Sequence, residues 1–429
     1  MILTFYGDDF TGSTDAMEAL AANGIETVLF LDAPLDVPDD KRLSRFPNCE
    51  AVGIAGNSRS KSPQWMTENL PAVFARLRDL GAPICHYKVC STFDSSPEVG
   101  SIGRAIEIGR EVFDSPYVPV VVGAPSLRRY CLFGNLFAAG GEETYRLDRH
   151  PTMSRHPSTP MDESDLRVHL ARQTSKRIEL FDILELRRGD ARERFRKLLA
   201  WRPDIVLFDG FDEDSLRAAG GLIWSSRTAT PMFAAGSSGF EYALVAHWRA
   251  SGELPAAPVF PNPLKAEKII VVSGSCSPIT EKQIRWAMQR GFEALPAMGD
   301  RAPERAEERA AEALDRGKSV ILYTALGAVT PRDADFNERL GVRLGGMLRE
   351  LLRASKVRRI VICGGDTSSR AGRQLGLYAL TMLAPLAPGA PLCRGWSDDP
   401  ELDGLEAVFK GGQVGRDDFF QLALEGGNE

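Results

Sequence analysis

The sequence predicts an α/β protein of two α/β domains with mainly parallel sheets and an active site in the interdomain cleft. Short apolar runs rich in β-formers alternate with amphipathic helical stretches, the signature of βαβ units. A proline-dense segment, Ala256-Ala-Pro-Val-Phe-Pro-Asn-Pro263, interrupts that alternation, and the same grammar restarts after it. The predicted domains are 1–260 and 264–429, which divides 429 residues into two pieces each able to bury a core.

In the first domain Ile2–Tyr6 reads as a buried strand, Gly7–Ser13 as a loop, and Thr14–Asn23 as a helix with Ala16, Met17 and Leu20 on one face, stopped by Gly24. Strands are expected at Thr27–Leu31, Ala51–Ala55, Ile84–Lys88, Val118–Val122, Ile205–Phe208 and Met232–Ala235. In the second, Lys268–Val272, Ser319–Tyr323 and Arg359–Cys363 read as strands. Helices are expected at Thr280–Arg290, Arg305–Arg316, Asn337–Ala354 and Ser369–Leu383.

Composition narrows the function. The net charge of −6 leaves no basic stripe for nucleic acid, so no nucleic-acid partner is expected. No run approaches eighteen uncharged apolar residues, so no membrane partner is expected. The N-terminus lacks a basic n-region and reaches Asp8 and Asp9 early, unlike a secretory signal. Seven scattered cysteines, never spaced C-x-x-C, fit small buried side chains in a reducing cytoplasm better than a disulfide framework or zinc ribbon.

In open parallel sheets ligands bind beyond the carboxyl ends of strands. After the first strand, Gly7-Asp8-Asp9-Phe10-Thr11-Gly12-Ser13-Thr14-Asp15 crowds three carboxylates into one turn. Helix capping by Ser13 or Thr14, with Asp15 at the positive helix end, accounts for part of this. The adjacent like charges Asp8-Asp9 are better explained as groups that bind hydroxyls or accept a proton from one. After Ala51–Ala55 comes Asn57-Ser58-Arg59, whose arginine fork suits a carboxylate or phosphate, against the blander reading of a solvated turn. After Ile84–Lys88 come Val89, Cys90 and Ser91, then Gly100-Ser-Ile-Gly103 opening a helix; Lys88 at a strand end could hold an anion. His150–Met161, rich in proline and histidine, reads as loop filler before it reads as a lid.

In the second domain Ser273-Gly274-Ser275-Cys276-Ser277 and Gly364-Gly365-Asp366-Thr367-Ser368 each follow a strand and precede a helix. Lys410-Gly411-Gly412-Gln-Val-Gly415 is a third glycine-rich loop. Small residues and free N–H groups at helix starts suit a polyphosphate, and Asp366 could hold Mg²⁺. None of the loops is a P-loop or a dinucleotide fingerprint. The residues therefore suggest a kinase: a hydroxylated carboxylic acid in the first domain, ATP in the second, an aspartate of the first loop as base, and closure to exclude water. A sugar-acid sensor without turnover, or a non-kinase sugar-acid enzyme, is the alternative; neither accounts for the paired aspartates together with three phosphate-suited loops.

Seven segments in order then carry a resemblance. They are Gly7–Asp15, Asn57-Ser-Arg59, Tyr87-Lys-Val-Cys-Ser-Thr-Phe-Asp-Ser95, His156-Pro-Ser-Thr-Pro-Met161, Ser273–Ser277, Gly364–Ser368 and Lys410–Gly415. Together, over nearly the whole chain, they resemble the four-carbon acid sugar kinase family. The resemblance implies ATP-dependent phosphorylation of acid sugars such as threonate, erythronate or 3-oxo-tetronate. It implies sugar contacts at Asp8 or Asp9, Asp15, Arg59, Lys88, Val89, Cys90 and Ser91. It implies ATP contacts at Ser273, Gly274, Ser275, Gly364, Gly365, Asp366, Thr367 and Gly412. The Lys88–Ser95 stretch is similar to the 3-oxo-tetronate branch, but Gly100-Ser-Ile-Gly103 and Gly123-Ala-Pro-Ser-Leu-Arg-Arg depart from it, and Ala384–Gly389 departs near the C-terminus. These departures leave the acid open, a branched relative such as 3-oxo-isoapionate included, and assembly into a homodimer is likewise open.

Overall fold

The computed structural model describes residues 1–31, 41–156, 158–297, 305–327, 334–364 and 371–427. Two compact units emerge, one of Met1–Val28 and Ala33–Pro258, the other of Leu29–Asp32 and Val259–Glu429.

The first unit runs β1 (Leu3–Gly7), α1 (Phe10–Ala21), the first half of β2 (Thr27–Phe30, whose Leu29 and Phe30 count with the other unit), β3 (Ala51–Ala55), α2 (Pro63–Asp79), β4 (Ile84–Lys88), α3 (Ile102–Phe113), β5 (Val118–Val121), β6 (Arg129–Leu132), β7 (Asn135–Gly140) and β8 (Glu143–Arg146). It continues through α4 (Leu166–Ala171), β9 (Ile178–Phe181), α5 (Ile183–Leu186), α6 (Ala191–Ala200), β10 (Ile205–Phe208), α7 (Glu213–Ser225), β11 (Met232–Gly236) and α8 (Gly239–Ser251). Its parallel strands lie in the order β3-β1-β4-β11-β5-β10-β9. Every residue of β1, β3 and β4 is buried, as expected of parallel strands covered on both faces. Aromatic packing anchors the central strands: Tyr6 stacks on Tyr87 at 6.0 Å, and Phe74 of α2 meets both edge-on.

Two features of this unit differ from the sequence reading. The first helix begins at Phe10, four residues before the expected Thr14, because Asp9 rather than Ser13 or Thr14 is its N-cap, accepting from the Gly12 N–H. Phe10 is buried, so its apolar side chain draws the helix start toward the strand. A three-stranded antiparallel sheet, β6-β7-β8, is an addition the sequence reading lacks. Its first turn puts Phe133 (φ 51°) and Gly134 (φ 77°) in the left-handed region. Asp209 holds that turn by accepting from both N–H groups, at 2.6 and 2.9 Å.

The second unit runs β12 (Ile270–Ser273), α9 (Pro278–Met288), β13 (Glu293–Pro296), α10 (Ala306–Asp315), β14 (Val320–Tyr323), α11 (Ala334–Ser355), β15 (Arg359–Cys363), β16 (Leu377–Ala387), β17 (Ala390–Ser397), β18 (Glu406–Lys410) and α12 (Phe419–Glu425). Strands β13-β14-β12-β15-β18 are parallel, and β17 and β16 extend the sheet antiparallel. The helix expected over Ser369–Leu383 is present only at its start: residues 371–374 are helical, but Leu377–Ala387 is a strand. Gly376, at φ +67°, ends the short turn that precedes it, and Gly389 closes a hairpin that pairs Leu377–Ala387 with Ala390–Ser397. Among the described residues no helix is long and apolar enough to cross a membrane.

Candidate active site

The first-unit candidates converge beyond the carboxyl ends of β1, β3 and β4. The main chain holds the three loops together. The Asp8 N–H donates to the Lys88 carbonyl at 2.8 Å, and the Arg59 N–H donates to the Asp8 carbonyl at 3.0 Å. Side chains complete the cluster. Arg59 donates from Nη1 to Asp9 and from Nη2 to Asp94, both at 2.6 Å. Asp94 also accepts from the hydroxyls of Thr92 and Thr159, the latter at 3.3 Å. Lys88, fully buried, places Nζ 3.0 Å from Asp15 and 3.0 Å from the Val89 carbonyl. Val89 is itself buried and offers the site only its main chain; Cys90 lies 3.0 Å from the Thr92 hydroxyl, and Ser91 is half-buried.

The electrostatics separate the carboxylates. Asp8 is 3% exposed and its Oδ1 has no hydrogen-bond partner among the described residues. Burial, reinforced by the neighbouring Asp9 charge, pushes its pKa up from 3.8 to about 8. Burial works on Asp94 in the same direction, but the Arg59 charge and the Thr92 hydroxyl outweigh it and hold Asp94 well below the usual carboxylate range. Burial opposes the Lys88 charge, and Asp15 restores it, so its pKa ends above the ordinary value. Asp94 and Thr159 thus join the cluster although the sequence reading did not assign them. The signal for Asp94 was its place four residues after the Cys90 turn; Thr159 comes from the His150–Met161 segment, which folds back onto Asp94 rather than serving as filler.

The second-unit candidates meet at the carboxyl ends of β12, β15 and β18. The Gly274 N–H donates to the Cys363 carbonyl at 3.1 Å, and the Gly364 N–H to the Lys410 carbonyl at 2.9 Å. Gly364 sits at φ +107°, a conformation that glycine alone adopts readily. A Cβ on Gly412 would fall 2.6 Å from Ser275 Oγ and 3.1 Å from Ser277 Cβ, so the loops touch through hydrogen. Thr280 donates to the Gly412 carbonyl at 3.0 Å and stands 3.4 Å from the buried Lys410 Nζ. Ser273 Oγ is buried with no hydrogen-bond partner among the described residues. Gly365, Asp366 and Thr367 lie outside the described residues. Among the described residues no group of three or more His, Cys, Asp or Glu could hold a metal ion.

Two family models match the chain in succession. A sugar-binding N-terminal domain family matches residues 3–244, and a nucleotide-binding C-terminal domain family matches 270–420. The 3-oxo-isoapionate kinase of Paraburkholderia graminis is 51% identical, covering 99% of this chain and 94% of its own. The 3-oxo-tetronate kinase of Cupriavidus necator is 28% identical, over 99% of this chain and 96% of its own. The crystal structure of a Salmonella typhimurium LT2 protein, 25% identical, covers 99% of this chain and 98% of its own, with a TM-score of 0.77. The chain belongs to the four-carbon acid sugar kinase family and is a phosphotransferase with a hydroxyl acceptor.

Proposed function

We propose that this chain uses ATP to phosphorylate a hydroxyl of a 3-oxo acid sugar, of the 3-oxo-isoapionate kind, with the first unit taking the sugar and the second the nucleotide. Support for the substrate comes from the 51% identical relative named for that acid. The observation that carries the chemistry is Asp8, a buried carboxyl with an unpartnered oxygen and a pKa raised to about 8. A general base works best with a pKa near the operating pH, and an open lone pair is what an acceptor hydroxyl needs. Asp9, held by the Gly12 N–H and Arg59, is suited instead to orienting a substrate hydroxyl.

In the proposed reaction the acceptor oxygen forms a bond to the γ-phosphorus. The bond from that phosphorus to the bridging oxygen breaks, the hydroxyl proton passes to Asp8, and ADP leaves. Lys88, paired with Asp15, and Arg59, bridging Asp9 and Asp94, hold these carboxylates in place around the acceptor. On the nucleotide side, the unpartnered Ser273 hydroxyl and the glycine contact of Gly412 with Ser275 fit a phosphate chain approached by backbone N–H groups. Gly274, Gly364, Gly365 and Thr367 belong to the same set. Mg²⁺ arrives with ATP and neutralises phosphate charge when bound, and Asp366 is the residue proposed to meet it. All seven cysteines are free thiols, in keeping with a reducing cytoplasm.

The test is ADP release from Mg·ATP with 3-oxo-isoapionate, 3-oxo-tetronate, threonate and erythronate in parallel. The highest kcat/KM is expected with 3-oxo-isoapionate. No ADP above background with any of the four rejects the kinase reading; a preference for another acid rejects only the substrate.

A further inference from the structure

The first-unit cluster has a charge deficit. Asp9, Asp15 and Asp94 face Arg59 and Lys88, so three carboxylates meet two cations even when Asp8 holds its proton. Both cations are already spent within the cluster: Arg59 bridges two carboxylates and Lys88 is paired with Asp15. An acid sugar brings one further negative charge, and no compensating group among these residues is left to meet it.

Arg129 has the opposite problem. It is half-buried at the start of β6, and its Nε is buried with no partner among the described residues. Its Nη1 touches only main-chain carbonyls, those of Leu127 at 3.0 Å and Arg128 at 3.2 Å. No carboxylate lies within ion-pair distance among the described residues. Burying a guanidinium without an anion is costly, and such groups are ordinarily paired. The adjacent Arg128 is exposed and satisfied by the carbonyls of Gly141 and Glu142, so it is not equivalent.

Its position is fixed by β5, which belongs to the parallel sheet that carries the cluster. The main chain of Arg129 is bonded in both directions to Ala124, at 2.9 and 3.1 Å, and Ala124 lies three residues beyond the carboxyl end of β5. Arg129 therefore stands at the same sheet edge as Asp8, Arg59 and Lys88. Burial lowers its pKa, as expected of a guanidinium without an anion beside it.

We infer that Arg129 is the specificity-determining residue that pairs with the carboxylate of the acid sugar, with β6 delivering a guanidinium fork not already spent on the cluster's own carboxylates. This rests on the reading of the first unit as the acid-sugar site. It assigns the cluster around Asp8 and Asp9 to the hydroxyl end of the substrate and Arg129 to the acid end.

The test compares wild type with Arg129→Gln on 3-oxo-tetronate and on erythrulose, which carries CH₂OH in place of the carboxylate, as substrate or as competitive inhibitor. The KM for 3-oxo-tetronate should rise roughly 10- to 100-fold, with kcat and the KM for ATP within about twofold and the erythrulose constant unchanged. An unchanged KM for the acid, or an equal loss with erythrulose, overturns the inference. If Arg129→Gln does not fold, Arg129→Lys keeps the charge without the fork, and a wild-type KM for the acid in that variant is equally fatal. Failure of wild type to release ADP with any acid would instead sink the underlying kinase reading, so the two are distinguishable.

Discussion

Arg59 reaches Asp94 at 2.6 Å through one guanidinium nitrogen while the other holds Asp9 at the same distance. Asp94 is fully buried, so this pair secures an anion that would otherwise stand alone in the interior. Arg59→Ala should therefore cost about 3–5 kcal/mol of stability in urea unfolding, and should lower kcat as well as raise KM for the acid. An effect on KM alone would mean that Arg59 contacts substrate without organising Asp9.

Asp94 should make the fold acid-sensitive. Its folded pKa lies below the unfolded one, so its contribution is present above the unfolded pKa and is lost as pH falls through the folded value. Asp94→Asn should flatten the acid limb of a stability–pH profile, measured by denaturation midpoints from neutral pH downward.

Asp8 acts in the opposite direction. Its pKa is raised from 3.8 to about 8 on folding, so the folded state binds the proton more tightly. Its contribution is full below pH 4 and is lost as pH rises toward about 8. Asp8→Asn should therefore gain stability relative to wild type across that window, by up to about 1.4 kcal/mol per pH unit. It should also lower kcat by roughly 100-fold or more and remove an ascending limb near pH 8 from kcat/KM. A variant that keeps this limb would transfer the base to Asp9.

Lys88→Met should leave Asp15 buried without its cation, costing about 3–5 kcal/mol. Adding Asp15→Asn to Lys88→Met should recover part of that loss in thermal melts, since the double variant buries no unpaired charge.

Gly412→Ala should act on the nucleotide alone. Its Cβ would press on Ser275 and Ser277, raising KM for ATP about tenfold while leaving KM for the acid unchanged. Ser275→Ala in the same chain removes the nearer clash and should restore part of the ATP affinity.

Local pattern was enough to locate β3, β4 and β10 to the residue, because short β-branched runs bounded by turn residues have few other ways to fold. It was enough to single out Asp8, Asp9, Arg59 and Lys88, because each sits at a strand end. Leu377–Ala387 misled because an apolar run of helical length is ambiguous, and what decides it is pairing with Ala390–Ser397. Asp94 stands in a turn that follows a strand, but its bond to Arg59, the return of Thr159 to Asp94 and the lack of an anion beside Arg129 are facts of tertiary approach that spacing along the chain does not show.

The Asp209 grip on the Phe133–Gly134 turn has a bearing on how such enzymes diverge. Together with main-chain bridges from Arg129 to Ala124 and from Cys131 to Gly210, it anchors the small antiparallel sheet beside β5 and β10, away from the loops that carry the paired aspartates. The hairpin can thus drift in sequence and re-aim its side chains while the proton-handling apparatus stays untouched. New acceptor preferences in this lineage should accumulate between residues 129 and 146 first, which makes that stretch the natural library for redesign.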